Sequence, residues 1–172
     1  MNWPIDEKAI ALIKHFESLH DGDESALGLQ PKLCPAGIWT VGWGRALRDT
    51  ETGQFLMGQE DYAQALAQHP SLTESEADLM LADDLEEFAD FVAQKVRTRL
   101  AACQHGALTS FCYNVGMGAF QGSTLLKLLN VSKIDEAALQ FARWNKGGGR
   151  VLAGLSKRRE AERKLFMTGQ FP

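Results

Sequence analysis

The sequence predicts an α+β fold, mainly helical, whose few strands gather in the N-terminal half. Three observations carry this. Apolar residues recur at helical spacing at Ile10 and Ile13, with Glu17 next on the same stripe, and again at Leu81, Leu85, Phe88 and Val92. Between these runs, Ile38-Trp39-Thr40-Val41 is β-branched and aromatic and is followed by Gly42 and Gly44, which leave the backbone open to close approach. From Cys103 to the end the pattern is helical once more, with Ala107, Leu108, Phe111, Cys112 and Val115 marking a core helix.

Each element has its local reason. Pro4 and Asp6 mark a helix start, with Asp6 able to cap free amides before the run from Lys8 to Glu17. Leu19 to Pro31 is polar and glycine-bearing, an insertion loop; its acids Asp21, Asp23 and Glu24 read most simply as solvated surface and only secondarily as spare catalytic carboxylates. Trp39 to Gly44 and Gln54 to Met57 flank the turn-rich Asp49–Gly53, so a β-hairpin is expected there. Gln59 to Gln68 makes a short helix ended by Pro70. Thr73 and Glu76 then form a capping-box pattern that opens a long helix, with Asp83, Asp84, Glu86, Glu87 and Asp90 on its polar faces. Gly116 and Gly118 halt the core helix, and Ser123 caps a short one that ends near Asn130. Ser132 to Trp144, a Gly147-Gly148-Gly149 loop and a helix from Leu155 to Met167 complete the chain. Arg150, Lys157, Arg158, Arg159, Arg163 and Lys164 make that last segment basic. Interleaved Glu160 and Glu162 favour a solvated, salt-bridged helix over contact with an anionic wall or lipid.

Composition bounds the function. With 172 residues, 45% hydrophobic and 23% charged, the chain amounts to one soluble domain, 1–172, able to bury a real core. A net charge of −4 excludes the global basic field that drives nonspecific nucleic-acid binding. Three cysteines argue against a disulfide framework or a thiolate metal site and fit reduced thiols made in a cytosol. His15, His20, His69 and His105 show no metal-ligand spacing, and Gly147-Gly148-Gly149 lacks the Lys-Ser/Thr of a phosphate loop. Met1 to Lys8 has no basic stretch leading into an apolar run, and no window approaches the roughly 18 apolar residues of a membrane span. The expectation is a monomer with no cofactor, metal, nucleic-acid partner, export signal or transmembrane segment.

Chemistry concentrates between Phe16 and Gly44. Glu17 closes the first helix at the edge of its apolar stripe, and desolvation there disfavours a charged carboxyl, as general-acid work requires. Cys34, five intervening residues, Thr40 and then Thr40-Val41-Gly42-Trp43-Gly44 follow. This arrangement resembles the phage-type lysozymes, the endolysin muramidases of glycoside hydrolase family 24. The resemblance continues through Leu72–Asp78, Ala107–Gly116, Ser123–Leu126 and Gly154–Glu162, nearly the whole chain. Two departures stand out: residues 18–33 lengthen the interval between Glu17 and Cys34, and Arg45 stands where the family commonly has His.

The resemblance implies a lysozyme-like fold, with a small β-hairpin lobe at about 18–70. A larger helical lobe would cover about 73–172 plus the N-terminal helix 6–17, with a cleft between the lobes and the long helix after Thr73 joining them. It implies hydrolysis of the β-1,4 bond between N-acetylmuramic acid and N-acetylglucosamine in peptidoglycan. Glu17 would protonate the leaving oxygen, and Cys34 and Thr40 would position water on the opposite ring face. Whether Cys34 positions water or acts as nucleophile is open, since a free thiol is only a few per cent ionised at neutral pH but is strongly nucleophilic once ionised. Gly44, Tyr113, Asn114 and Ser123 are the expected substrate contacts, Ser123 with helix capping as its alternative. Trp39, Trp43 and Trp144 fit sugar stacking or core packing equally. The host cytoplasm would be the place of synthesis and the periplasm or wall the place of action, reached through a holin. A lytic transglycosylase and a catalytically silent wall-binding protein are the alternatives.

Overall fold

The computed structural model describes residues 5–23 and 25–171, so Pro4 and Glu24, named above, lie outside the described residues. The described residues form two compact units, one within 17–84 and one of 5–16 with 85–171.

The first helix, α1 (Glu7–Glu17), begins where the Asp6 carboxylate accepts the Lys8 N–H at 2.9 Å and buries Ala9, Leu12 and Ile13. It stops at Ser18, whose φ of 61° is the left-handed conformation that ends a helix.

In the unit of residues 17–84, β1 (Lys32–Leu33), β2 (Trp39–Val41) and β3 (Arg45–Ala46) make an antiparallel sheet in sequence order. Lys32 lies opposite Thr40 and Leu33 opposite Trp39, then Thr40 opposite Ala46 and Val41 opposite Arg45. The β1–β2 connection is tight: Cys34 N–H donates to Ile38 O and Gly37 N–H to Cys34 O, both at 2.8 Å, with Gly37 at φ 78°. That is a turn followed by a left-handed residue, a geometry glycine adopts without strain. The expected hairpin around Asp49 is present as a turn but Gln54–Met57 is not a strand. It meets the sheet through isolated bridges, Arg48 with Phe55 and Ile38 with Met57. The Met57 N–H, on the far side from that bridge, goes to the Asp61 carboxylate at 2.7 Å. Asp49 anchors the turn by accepting from Gln64, Thr52 and Glu51; the Gln64 amide, followed by the Thr52 N–H, holds its carboxyl well below the usual range. Next come α2 (Tyr62–Gln68) and α3 (Glu74–Lys95), the latter opened by the expected box: Thr73 N–H to Glu76 Oε2 at 2.8 Å and Glu76 N–H to Thr73 Oγ1 at 3.2 Å. Trp39, Val41, Leu47, Leu56, Ala65, Leu72 and Ala77 are its core.

The other unit is helical: α1 and the second half of α3, then α4 (Ala102–Val115), α5 (Met117–Gly122), α6 (Thr124–Leu129), α7 (Ile134–Gln140) and α8 (Ala153–Thr168). Ala9 and Leu12 of α1 join Leu108, Phe111, Phe120, Leu125, Phe141, Leu165 and Phe166 in one core. The triple-glycine stretch is a hairpin rather than a loop. β4 (Lys146–Gly147) pairs with β5 (Arg150–Val151) across Gly148 and Gly149, whose φ of 56° and 77° suit a primed two-residue turn.

The solvated helix expected at the C-terminus is corrected by α8. Arg158 and Arg159 are 3% and 1% exposed and Glu162 is fully buried. Arg158 Nε lies 3.2 Å from Glu162 Oε1 and Arg159 Nε 3.0 Å from Oε2, while Ser110 Oγ donates to Oε1 at 3.0 Å. Burial raises the pKa of Glu162, and the two guanidiniums and the Ser110 hydroxyl pull against that rise. Spacings of three and four residues fit surface pairs and buried ones alike, and packing of α8 against α4 decides the matter here. Arg163 and Glu160, also on α8, remain the exposed pair that was expected.

Candidate active site

Glu17 is the last residue of α1 and is partly exposed. The loop after Gly42 passes beneath it: a Cβ built on Gly44 lies 3.8 Å from Glu17 Oε2, and Gly44 has φ 95°. Any larger residue at 44 is strained, so the backbone approaches the carboxylate as only glycine allows. The structure therefore brings together Glu17 and Gly44 of the expected set.

Thr40 sits in the middle of β2 and, by strand alternation, points away from its core-facing neighbours Trp39 and Val41. Thr40 is 6% exposed, and its hydroxyl lies 3.0 Å from Lys32 O and 2.7 Å from His20 Nδ1. His20 was not among the residues expected from the sequence. A backbone bridge to Gly42, with His20 N–H donating to Gly42 O at 2.7 Å, carries it across the start of the insertion and onto the sheet. Burial and the Lys32 charge hold the imidazole below its usual 6.5, against opposing pulls from the Glu17 carboxylate and backbone carbonyl. Its only signal in the sequence was its place three residues beyond Glu17. Cys34, partly exposed and a free thiol, occupies the first position of the β1–β2 turn.

Asp21 and Asp23 serve the insertion itself. Asp21 Oδ1 accepts the Gln30 N–H at 3.1 Å, and Asp23 accepts from Ser25 and is held below the usual carboxylate range by it. Trp39 is core, 5% exposed, with its indole N–H on Gly58 O at 2.6 Å, whereas the Trp43 indole N–H donates to Asp78 at 2.7 Å. Arg45, in the place of the family's usual His, spans Asp84 at 2.8 Å and Met80 O at 2.6 Å.

Tyr113, Asn114 and Ser123 belong to the helical unit. The Tyr113 ring meets Phe88 edge-on with centroids 5.2 Å apart. Exposed Asn114 accepts from Arg159 Nη2 at 2.8 Å and borders a hollow of about 420 Å³ with Val115, Arg143, Trp144, Lys146 and Leu155. Ser123 is 3% exposed and caps α6 by accepting the Leu126 N–H at 3.1 Å, the capping alternative for this residue. Cys103 and Cys112 are free thiols, and burial pushes Cys112 up to about 12. Among the described residues no group of three or more His, Cys, Asp or Glu is arranged to hold a metal ion, and no helix is long and apolar enough to cross a membrane.

A small antiparallel sheet and a mainly helical core, with an acid at a helix end set over a glycine of the turn between β2 and β3, are features of the lysozyme-type folds. The chain belongs to the phage lysozyme family, whose model matches residues 23–162. That match takes in Cys34, Thr40, Gly44, Tyr113, Asn114 and Ser123 and begins after Glu17. The chain is similar to the endolysin of Bacillus phage B103, 37% identical over 166 residues, which cover 96% of this chain and 55% of that protein. It thus spans about half the length of the Bacillus phage endolysins that it matches. The endolysin of Acyrthosiphon pisum secondary endosymbiont phage 1 is 32% identical over 94% of this chain and 97% of its own. Among solved structures, the muramidase domain of SpmX from Asticaccaulis excentricus aligns with a TM-score of 0.74 at 31% identity, over 96% of this chain and 98% of that one.

Proposed function

We propose that this protein is an endolysin that hydrolyses the β-1,4 bond between N-acetylmuramic acid and N-acetylglucosamine in peptidoglycan. The observation that carries the reading is the Glu17 carboxylate held over Gly44 in a chain of the phage lysozyme family. Glu17 protonates the leaving glycosidic oxygen, while Thr40 and Cys34 position a water for attack on the opposite ring face, which inverts the anomeric centre. Tyr113 and Asn114 offer an aromatic face and an amide to the glycan, a pairing that suits a sugar's apolar and hydrogen-bonding surfaces. The enzyme works as a monomer and reaches the wall from the host cytoplasm once a holin has opened the membrane.

The test joins one variant to product analysis. Glu17→Gln keeps the shape of the side chain but cannot donate the proton, so turnover on purified peptidoglycan falls by roughly 10²–10⁴-fold. Mass spectrometry of the wild-type products shows sugars heavier by one water. Anhydro ends would indicate a transglycosylase, and near-normal release of reducing ends by Glu17→Gln would remove the acid assignment.

A further inference from the structure

The established family logic leaves a chemical gap in this chain. A water that attacks an anomeric carbon must lose a proton, and the position that would supply a carboxylate holds Cys34. The basic group that the structure sets against the water-positioning residue is His20, with Nδ1 2.7 Å from Thr40 Oγ1. We infer that His20 is the proton acceptor of the hydrolytic step, reaching the attacking water through the Thr40 hydroxyl. The inference rests on the hydrolase reading above.

The hydrogen-bond arithmetic supports it. Thr40 has one hydroxyl proton and two acceptors near it, His20 Nδ1 at 2.7 Å and Lys32 O at 3.0 Å. The neutral ring likewise has one proton, and the Glu17 backbone carbonyl offers it an acceptor. In the tautomer with its proton on Nε2, Nδ1 presents its lone pair and Thr40 donates to it across the shorter of its two contacts. The Thr40 oxygen then has lone pairs left to accept a proton from water. Burial and the Lys32 ammonium favour the neutral ring at pH 7, with the Glu17 carboxylate opposing them; these are the charged groups that act on it. Asp21, next in the chain, is turned to the Gln30 N–H.

The step balances. The water oxygen bonds to the anomeric carbon as the bond to the glycosidic oxygen breaks, and the leaving oxygen takes the Glu17 proton. The water proton passes to Thr40 Oγ1 as the hydroxyl proton passes to His20 Nδ1. Solvent then takes the proton from the imidazolium and returns one to Glu17. His20 therefore acts through Thr40 and is a positioning and proton-accepting partner rather than a group in contact with substrate.

His20→Asn discriminates between proton transfer and mere support, because the amide reaches the Nδ1 position and hydrogen-bonds Thr40 but is not basic. On peptidoglycan the variant should lose roughly 10²–10⁴-fold in kcat with little change in KM. The acid limb of the wild-type pH profile, where kcat rises as His20 deprotonates below about 6.5, should vanish. An independent reading uses the folded wild type alone: the His20 ring titrated by NMR should give the same pKa as that acid limb. Retention of near-normal kcat by His20→Asn, or rescue by Asn of an impaired His20→Ala, would overturn the inference, as would an NMR pKa that differs from the kinetic one. An inactive Glu17→Gln beside an active His20→Asn removes this inference alone. An active Glu17→Gln removes the hydrolase reading beneath it.

Discussion

Replacing Glu162 by Gln leaves two guanidiniums facing an amide inside α8. The carboxylate is fully buried and lies 3.2 Å from Arg158 Nε and 3.0 Å from Arg159 Nε, each of them nearly as buried. Breaking a buried pair by removing one partner costs about 3–5 kcal/mol, because the remaining charge stays desolvated without its counterpart. For a chain of this size each kcal/mol lowers Tm by about 2–4 °C, so the expected fall is about 6–20 °C. Glu160→Gln, two residues away and on another face of the same helix, is the internal control: its pair with Arg163 is 64% and 38% exposed and contributes about 0–1 kcal/mol. Urea unfolding followed by far-UV circular dichroism, with matched m-values, measures both variants. If Glu162→Gln loses no more stability than Glu160→Gln, the network does not stabilise the helical core and the reasoning fails.

Two further outcomes follow from the geometry. Cys34→Ala should slow turnover by roughly 10²-fold through a misplaced water, while Cys34→Asp should remain active. NMR of the first sugar released should show the inverted anomer, and a retained one or a sugar thioether on Cys34 would establish covalent catalysis instead. Thr73→Ala should cost about 1 kcal/mol at neutral pH by removing the cap of α3. The Thr73 N–H and hydroxyl hold Glu76 below its ordinary 4.5, so their stabilisation is present above that pH and is lost as pH falls through the lower folded value. Thermal melts of wild type and Thr73→Ala should accordingly converge toward acid pH.

Features with a local cause were legible in the sequence. The capping box at Thr73 and Glu76, the helix ending at Glu17 and the Ser123 cap depend on residues within one turn of each other, and each took the form expected. His20 was not legible because its role needs a backbone bridge to Gly42 that closes over the insertion, and no periodicity reports such a pairing. Arg158, Arg159 and Glu162 were misread for a related reason. Burial of charge is decided by the helix that packs over it, and Ser110 on α4 lies 52 positions away in sequence. The Gly148-Gly149 turn hid a hairpin because the strands beside it are two residues each.

The division of the chain also sets an order in time. Residues 17–84 are contiguous and hold a complete set of core side chains once Ala77 has been made. By contrast, Ala9 and Leu12 belong to a core that includes Leu108, Phe111, Leu165 and Phe166. On a ribosome adding about 5–20 residues per second, α1 waits roughly 8–30 s between its own emergence and that of its last partners. During that interval its apolar stripe is without the packing it has in the finished fold, and the helix that ends in Glu17 cannot settle. Nascent chains therefore carry the sheet before the helix that bears Glu17 is fixed.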